Sequence, residues 1–152
     1  FGPRHGSITF CFMYCMPMKL APTNIYKELV KYFPRLTVDV LIRNNKLGYL
    51  LFKRNISPSK GKFWPIGGTV YRGETLRSAA IRKAKEEVGV RPRSMKPAGI
   101  INVKFTERHD ISFVFFAILD DRSKIKLSEQ NSEYKWFKKL PAHYRLIKFE
   151  NI

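Results

Sequence analysis

Apolar residues recur along this chain at two spacings, one typical of helices and one typical of strands. The helical spacing predicts a short amphipathic helix over residues 22–33 that ends before Pro34, because proline disfavours helix in the residue that precedes it. A second helix is predicted over 75–88, with Gly89 as its stop. The apolar face of this second helix is formed by Leu76, Ala79, Ala80, Ala84 and Val88.

Other segments are rich in β-branched and apolar residues, which predicts strands. The sequence NNK is a turn signal between the first two of them, so these two should form a hairpin. Strands before and after a packed helix predict an α/β sandwich with a mixed sheet. The predicted strands are 36–43, 47–54, 67–71, 98–106, 111–119 and 133–137.

Length and composition favour one globular domain. The chain has 152 residues, of which 44% are hydrophobic, enough for one core and too short for two. Residues 1–17 differ in composition from the rest, and a helical segment follows Met18, so we interpret 1–17 as a leader or added segment and 18–152 as the domain. No apolar run approaches the ~18 residues of a membrane span, so we expect a cytoplasmic protein, and we leave a homodimer open.

The charge is strongly basic. Twenty-nine Lys and Arg against 12 Asp and Glu give a formal net charge of +17, spread along the chain. Such a charge favours anionic partners, either small phosphorylated molecules or nucleic acid, although a solvated lysine surface would give the same count. Composition therefore leaves the choice of partner open.

Two adjacent carboxylates stand near the end of the second helix. Lys83, Glu86 and Glu87 are three or four residues apart, and we expect them to share a face away from the apolar stripe. Paired carboxylates repel each other unless a cation lies between them, and hard oxygen ligands suit Mg²⁺ or Mn²⁺. The alternative is an ordinary helix surface with the ion pairs Arg82–Glu86 and Lys83–Glu87.

The residues before the helix favour the metal site over the ordinary helix surface. A glycine pair, Gly67 and Gly68, precedes Glu74 and Arg82 at a spacing that resembles the Nudix box, G-x5-E-x7-R-E-U-x-E-E-x-G-U with U aliphatic. Lys83 replaces one glutamate of that pattern, and a small alanine stands at one aliphatic site. The positions that match the pattern are Gly68, Glu74, Arg82, Glu86, Glu87, Gly89 and Val90.

Within the Nudix hydrolases, the chain looks closest to the GDP-mannose mannosyl hydrolase branch. The resemblance is carried by VDVLIRNNKLGYLLFKRNISPSKGKFW before the box and by EQNSEYKWF after it. It implies an α/β/α sandwich and Mg²⁺-dependent hydrolysis of a nucleoside diphosphate sugar to sugar and nucleoside diphosphate. That branch also lacks the first glutamate of the box pair, and a lysine there would lower the local negative charge.

The resemblance also implies a set of site residues. The Gly67 carbonyl, Glu87 and Gln130 would bind Mg²⁺ with the substrate diphosphate. Catalytic roles would fall to Arg82, Glu86, Glu87 and the position of Asn131, and substrate contacts to Asp39, Arg54, Gly68, Tyr71 and His109.

One departure concerns the general base. Asn131 stands where that branch has a histidine, and an amide cannot accept a proton near neutral pH. His109 and Glu133 are the candidate replacements. Phe63, Trp64 and Tyr71 could stack on a nucleobase, or belong to the core.

Two other functions stay open. The chain could cleave a phosphoanhydride of a nucleoside triphosphate or of another nucleoside diphosphate derivative. It could also be a basic module that binds nucleotide or RNA without turnover.

Overall fold

The structure, a computed structural model, describes residues 21–119 and 124–141, so segment 1–17 lies outside the described residues. Both predicted helices are present and end within a residue of their expected bounds. The elements in chain order are α1 (Thr23–Tyr32), β1 (Arg35–Asn44), β2 (Gly48–Arg54), β3 (Phe63–Trp64), β4 (Ile66–Thr69), α2 (Leu76–Val88), β5 (Ser94–Lys104), β6 (His109–Ile118) and β7 (Asn131–Phe137).

Local sequence explains both ends of α2. The Thr75 side chain accepts a hydrogen bond from the Ser78 amide at 3.1 Å, which satisfies one of the free amides of the first turn. Gly89 ends the helix in the left-handed region, with φ of 68°, a conformation that glycine adopts without steric cost.

The strands form a mixed sheet, as predicted. β1 runs parallel to β6, and the remaining pairs are antiparallel, including the predicted β1–β2 hairpin. The two-residue β3 was not predicted, because so short a strand leaves no periodicity to detect. β5 begins at Ser94 instead of the predicted position 98, and its register shifts between Pro97 and Gly99, where proline lacks an amide for the ladder.

One edge of β1 is shared by two strands. Residues Thr37 to Val40 pair with β4, whereas Ile42 to Asn44 pair with β2. Two strands that use successive parts of the same edge must diverge from each other, so the sheet opens between β4 and the end of β2. A cleft lies at this opening.

Both faces of the sheet are buried. Alternate residues of β1 point to opposite faces, so Val38, Val40 and Ile42 pack toward α2, while Leu41 packs into a second cluster on the other face. Helix α1 buries none of its residues. Within the described residues, no helix combines the length and the apolar character that crossing a bilayer requires.

Candidate active site

A polar cleft lies where the sheet opens. Six predicted site residues line it, and Trp64 and Lys83 line it as well. The four basic side chains of the wall outnumber its two acidic ones, a balance that suits an anionic ligand. The six predicted residues are Asp39, Arg54, Gly67, Gly68, Tyr71 and Gln130; the basic residues are Arg35, Arg54, Lys83 and Arg108; the acidic ones are Asp39 and Asp110.

The glycine pair lets two elements approach each other closely. Gly67 pairs with Asp39 across the ladder, and a methyl group at Gly67 would overlap the Asp39 carboxylate and the Val38 carbonyl. At Gly68 a methyl group would lie 2.9 Å from Cε of Lys83, so the glycine makes room for the lysine stem. Only glycine fits both positions without displacing a neighbour.

Asp39 is a buried carboxyl group at the wall of the cleft. Its Oδ2 accepts a hydrogen bond of 2.9 Å from the Ser112 hydroxyl. Burial raises the pKa of Asp39 from its ordinary 3.8 to about 7; the Ser112 hydrogen bond lowers it, the charge of Glu87 raises it and that of Arg54 lowers it. Asp39 can therefore exchange a proton near neutral pH.

This shift predicts that the stability of the protein depends on pH. Because Asp39 holds its proton more tightly when folded, the free energy of unfolding should fall as pH rises from about 4 to about 7. Asp39→Asn keeps an acceptor for Ser112 and removes this dependence, so the variant should be the more stable protein at pH 8, by at most ~4 kcal/mol. Urea unfolding of both proteins in EDTA at pH 4.5 and 8 measures the difference. Equal slopes against pH would contradict the expectation.

Arg54 is the basic group of the cleft that is least engaged by acids. Its Nε donates to the Pro58 carbonyl at 3.0 Å, and among the described residues no carboxylate forms an ion pair with it. Burial lowers the pKa of Arg54, and the charge of Glu87 opposes that effect. A half-buried guanidinium with free donors is well suited to bind a phosphate group.

Sequence reasoning missed a second basic pair in the cleft. Arg35 binds Asp110 through two hydrogen bonds of 2.9 and 2.7 Å, and Arg108 donates to the same carboxylate at 3.2 Å. The sequence does contain a signal for this pair, because Arg35 and Asp110 stand at the starts of two strands. Parallel pairing of those strands places the two residues opposite each other. Asp110 thus offsets part of the charge of Arg35 and Arg108, whereas Arg54 has no acidic partner among the described residues.

Two of the charged residues on α2 lie in a different environment from the predicted one. The expectation that Lys83 and Glu87 point away from the apolar stripe is wrong, since these residues are 8% and 3% exposed. Lys83 follows Ala79 and Ala80 by four and three positions, so it continues their face, and the glycine pair opposite leaves space for its stem. Glu86 alone of the three is exposed.

Lys83 and Glu87 form a close ion pair. Nζ of Lys83 lies 2.9 Å from Oε1 of Glu87 and 3.3 Å from Oε2 of Glu86. Oε1 of Glu87 is buried and has no partner of hydrogen-bond geometry, although the ammonium is close by. Glu87 does not line the cleft, whereas Lys83 does, so the ammonium stands between the cleft and this carboxylate.

Arg82 stabilises the loop that follows the glycine pair through hydrogen bonds. Its Nε and Nη2 donate to the two oxygens of Glu74 at 2.6 and 2.9 Å, and Nη2 also donates to the Thr69 carbonyl at 3.0 Å. The hydrogen bonds between Arg82 and Glu74 raise the pKa of Arg82 and lower that of Glu74. The guanidinium lies 3.9 Å above the ring of Tyr71, and Nη1 reaches Glu86. Every nitrogen of Arg82 is therefore engaged within the protein.

The structure keeps three other candidates out of the cleft wall. Asn131 is buried and donates from Nδ2 to Oε2 of Glu87 at 3.2 Å, so it would act through Glu87. His109 lies at the start of β6 with Nε2 3.1 Å from Asn102 Oδ1. Glu133 is exposed and lies 3.5 Å from Lys53.

The donor set fits one hard cation rather than a metal cluster. Within the described residues, no three His, Cys, Asp or Glu side chains come close enough together to hold a metal ion. One buried carboxylate oxygen, Oε1 of Glu87, nevertheless lacks a hydrogen bond, and such an oxygen is a suitable ligand for Mg²⁺ or Mn²⁺. The Gly67 carbonyl and the Gln130 amide are the neutral oxygens predicted to complete the set.

Comparisons with known proteins identify the family of this chain. Residues 33–145 match the NUDIX domain family. The low-salt glycan biosynthesis protein Agl8 of Haloferax volcanii is 30% identical over 129 residues, 80% of this chain and 81% of that protein. The ADP-ribose pyrophosphatase of Methanocaldococcus jannaschii is 35% identical over 119 residues, 73% of this chain and 68% of that protein.

A solved structure gives the same result. The MutT protein from Methanosarcina mazei Go1 superposes with a TM-score of 0.64 and 32% identity, over 75% of this chain and 90% of that one. The chain belongs to the Nudix domain family and is a Nudix hydrolase. The predicted α/β/α sandwich is thereby confirmed, and Nudix hydrolases generally use divalent metal ions.

Proposed function

We propose that this Nudix hydrolase acts on nucleoside diphosphate sugars with Mg²⁺, and that it releases the sugar and the nucleoside diphosphate. The observation that carries the proposal is the cleft itself, where the free guanidinium of Arg54 and the ammonium of Lys83 line the same wall as the glycine pair. A guanidinium without an acidic partner and an ammonium on the same wall suit the two phosphates of a diphosphate.

Each wall residue has a distinct part in this proposal. Arg54 binds one phosphate through its free guanidinium donors, and the absence of a side chain at Gly68 lets the substrate reach Lys83. Tyr71, whose ring is held by Arg82, and Trp64 offer flat surfaces for a base or sugar. Glu87, the Gly67 carbonyl and Gln130 would hold the Mg²⁺, which neutralises diphosphate charge when bound.

The attacking water also needs a proton acceptor. Asn131 is an amide that is buried against Glu87, and the only described carboxylates in the cleft wall are Asp39 and Asp110. Asp110 is engaged by Arg35 and Arg108, whereas Asp39 has a pKa of about 7 because of burial. Asp39 is therefore the group best suited to take a proton from water near neutral pH.

Two relatives bear on the bond that breaks. The first, Agl8, is a glycan biosynthesis protein, which agrees with a sugar nucleotide as substrate. The second is an ADP-ribose pyrophosphatase, which favours the alternative, cleavage of the phosphoanhydride of a nucleoside diphosphate derivative. The resemblance of EQNSEYKWF to the mannosyl hydrolase branch inclines the proposal toward attack at the sugar carbon.

Hydrolysis in ¹⁸O-labelled water separates the two reactions. Incubation of the chain with GDP-mannose and other nucleoside diphosphate sugars should place the label in the sugar hydroxyl, detected by mass spectrometry of the products. Label found only in a phosphate product would contradict carbon attack and favour the pyrophosphohydrolase alternative.

A non-catalytic module that binds nucleotide or RNA is a second candidate. The observation in its favour is the net charge of +17. Against it, a binder has no need for a buried carboxylate with an unsatisfied oxygen, which is present at Glu87. A homodimer and a cytoplasmic location stay predictions.

A further inference from the structure

We propose that Lys83 is a built-in cation that competes with the divalent metal for Glu87, so that metal binding requires the ammonium to leave. This inference rests on the proposed metal-dependent function of the cleft. Lys83 would thus lower the affinity of the enzyme for the metal below the affinity that the same ligands would have without a competing ammonium.

The position of the ammonium is the first support. Nζ of Lys83 is 2.9 Å from Oε1 of Glu87, the buried oxygen that has no hydrogen bond. A metal ion bound to that oxygen would lie next to a positive charge, and two cations a few ångströms apart in a poorly solvated site repel strongly. The two occupants are therefore mutually exclusive.

The surroundings of Lys83 allow its ammonium to move away from Glu87. Its side chain lines the cleft, and Glu86, which is exposed, lies 3.3 Å from the same Nζ. The lysine stem is unbranched and flexible, and Gly68 beside it carries no side chain. A small rotation can therefore transfer the ammonium from Glu87 toward Glu86 or toward an anion in the cleft.

The exchange also has a functional consequence. A diphosphate in the cleft offers the ammonium a new partner, and this releases Glu87 for the metal. Metal and substrate would then favour each other's binding, a linkage that works in both directions. The free enzyme would bind metal weakly and the substrate complex would bind it well.

The test is metal binding by the free protein, measured without turnover. Mn²⁺ titration followed by electron paramagnetic resonance would compare the wild type with Lys83→Met, which keeps an unbranched stem beside Gly68. The control is Lys85→Met, which removes the same charge from an exposed position on the same helix. Lys83→Met should bind Mn²⁺ at least ~10-fold more tightly than wild type, and Lys85→Met should match the wild type.

The outcomes separate this inference from the proposed function. Equal or weaker Mn²⁺ binding by Lys83→Met overturns the inference, even if the wild type hydrolyses nucleotide sugars with Mg²⁺. If Lys83→Met is unstable without metal because Glu87 loses its partner, saturating Mn²⁺ should restore its folding, as binding to the native state stabilises it. A variant that stays unfolded in saturating Mn²⁺ also overturns the inference.

Discussion

Glu87→Gln should reduce Mg²⁺-dependent turnover by at least ~100-fold, because it removes the charged oxygen proposed to hold the metal. It should also lower the free energy of unfolding, since Glu87 is 3% exposed and its charge is the close partner of Lys83. The sequence alone predicts an exposed position and little change in stability, so the burial alters this expectation. Steady-state hydrolysis and urea unfolding measure the two effects.

The control for Glu87→Gln is a charge-matched change far from the cleft. Glu28→Gln removes an exposed carboxylate of α1 whose ion-pair partner, Lys31, lies 2.6 Å away on the same helix. It should leave turnover and stability close to those of the wild type. Wild-type turnover with Mg²⁺ in Glu87→Gln would contradict the assignment of Glu87 as a metal ligand.

Arg82→Met should destabilise the protein by about 1–3 kcal/mol, the cost of leaving a partly buried carboxylate without its charged hydrogen-bond partner. The side chains of Arg82 and Glu74 are 14% and 9% exposed, and their two hydrogen bonds fasten the loop to α2. The measurement is chemical unfolding, with Arg91→Met as the control because Arg91 is exposed.

A double variant tests the cause of that loss. Arg82→Met combined with Glu74→Met removes both charges, so it should recover part of the stability lost in Arg82→Met alone. Normal stability together with lost turnover in Arg82→Met would show instead that the guanidinium contacts substrate. That result would restore the catalytic role that the family resemblance implies for Arg82.

The fold was largely predictable because its signals are local. The helical spacing of Ala79, Ala80 and Ala84, together with Gly89, defines α2, and the NNK turn defines the hairpin. The short β3 and the early start of β5 were not predictable, because pairing with β2 and β6 decides both. The bounds of these two strands depend on tertiary contacts, which secondary-structure propensity does not include.

The site was predictable in part, and the errors concern burial. Asp39 stands out in the sequence as an acid inside an apolar strand, and it does line the cleft. The burial of Lys83 depends on Gly68 opposite, and Glu87 is buried against Lys83 and Asn131, packing relations that a helical wheel does not contain. The engagement of Arg35 with Asp110 likewise depends on the parallel pairing of β1 and β6.

The most direct test of the proposed function is hydrolysis of a panel of nucleoside diphosphate sugars by the purified chain, with and without Mg²⁺. The proposal predicts that free sugar and nucleoside diphosphate appear only with Mg²⁺, and that Glu87→Gln does not form them at a comparable rate. A wild-type protein that binds these nucleotides yet leaves every one of them intact in saturating Mg²⁺ would contradict the proposal and indicate a binding module.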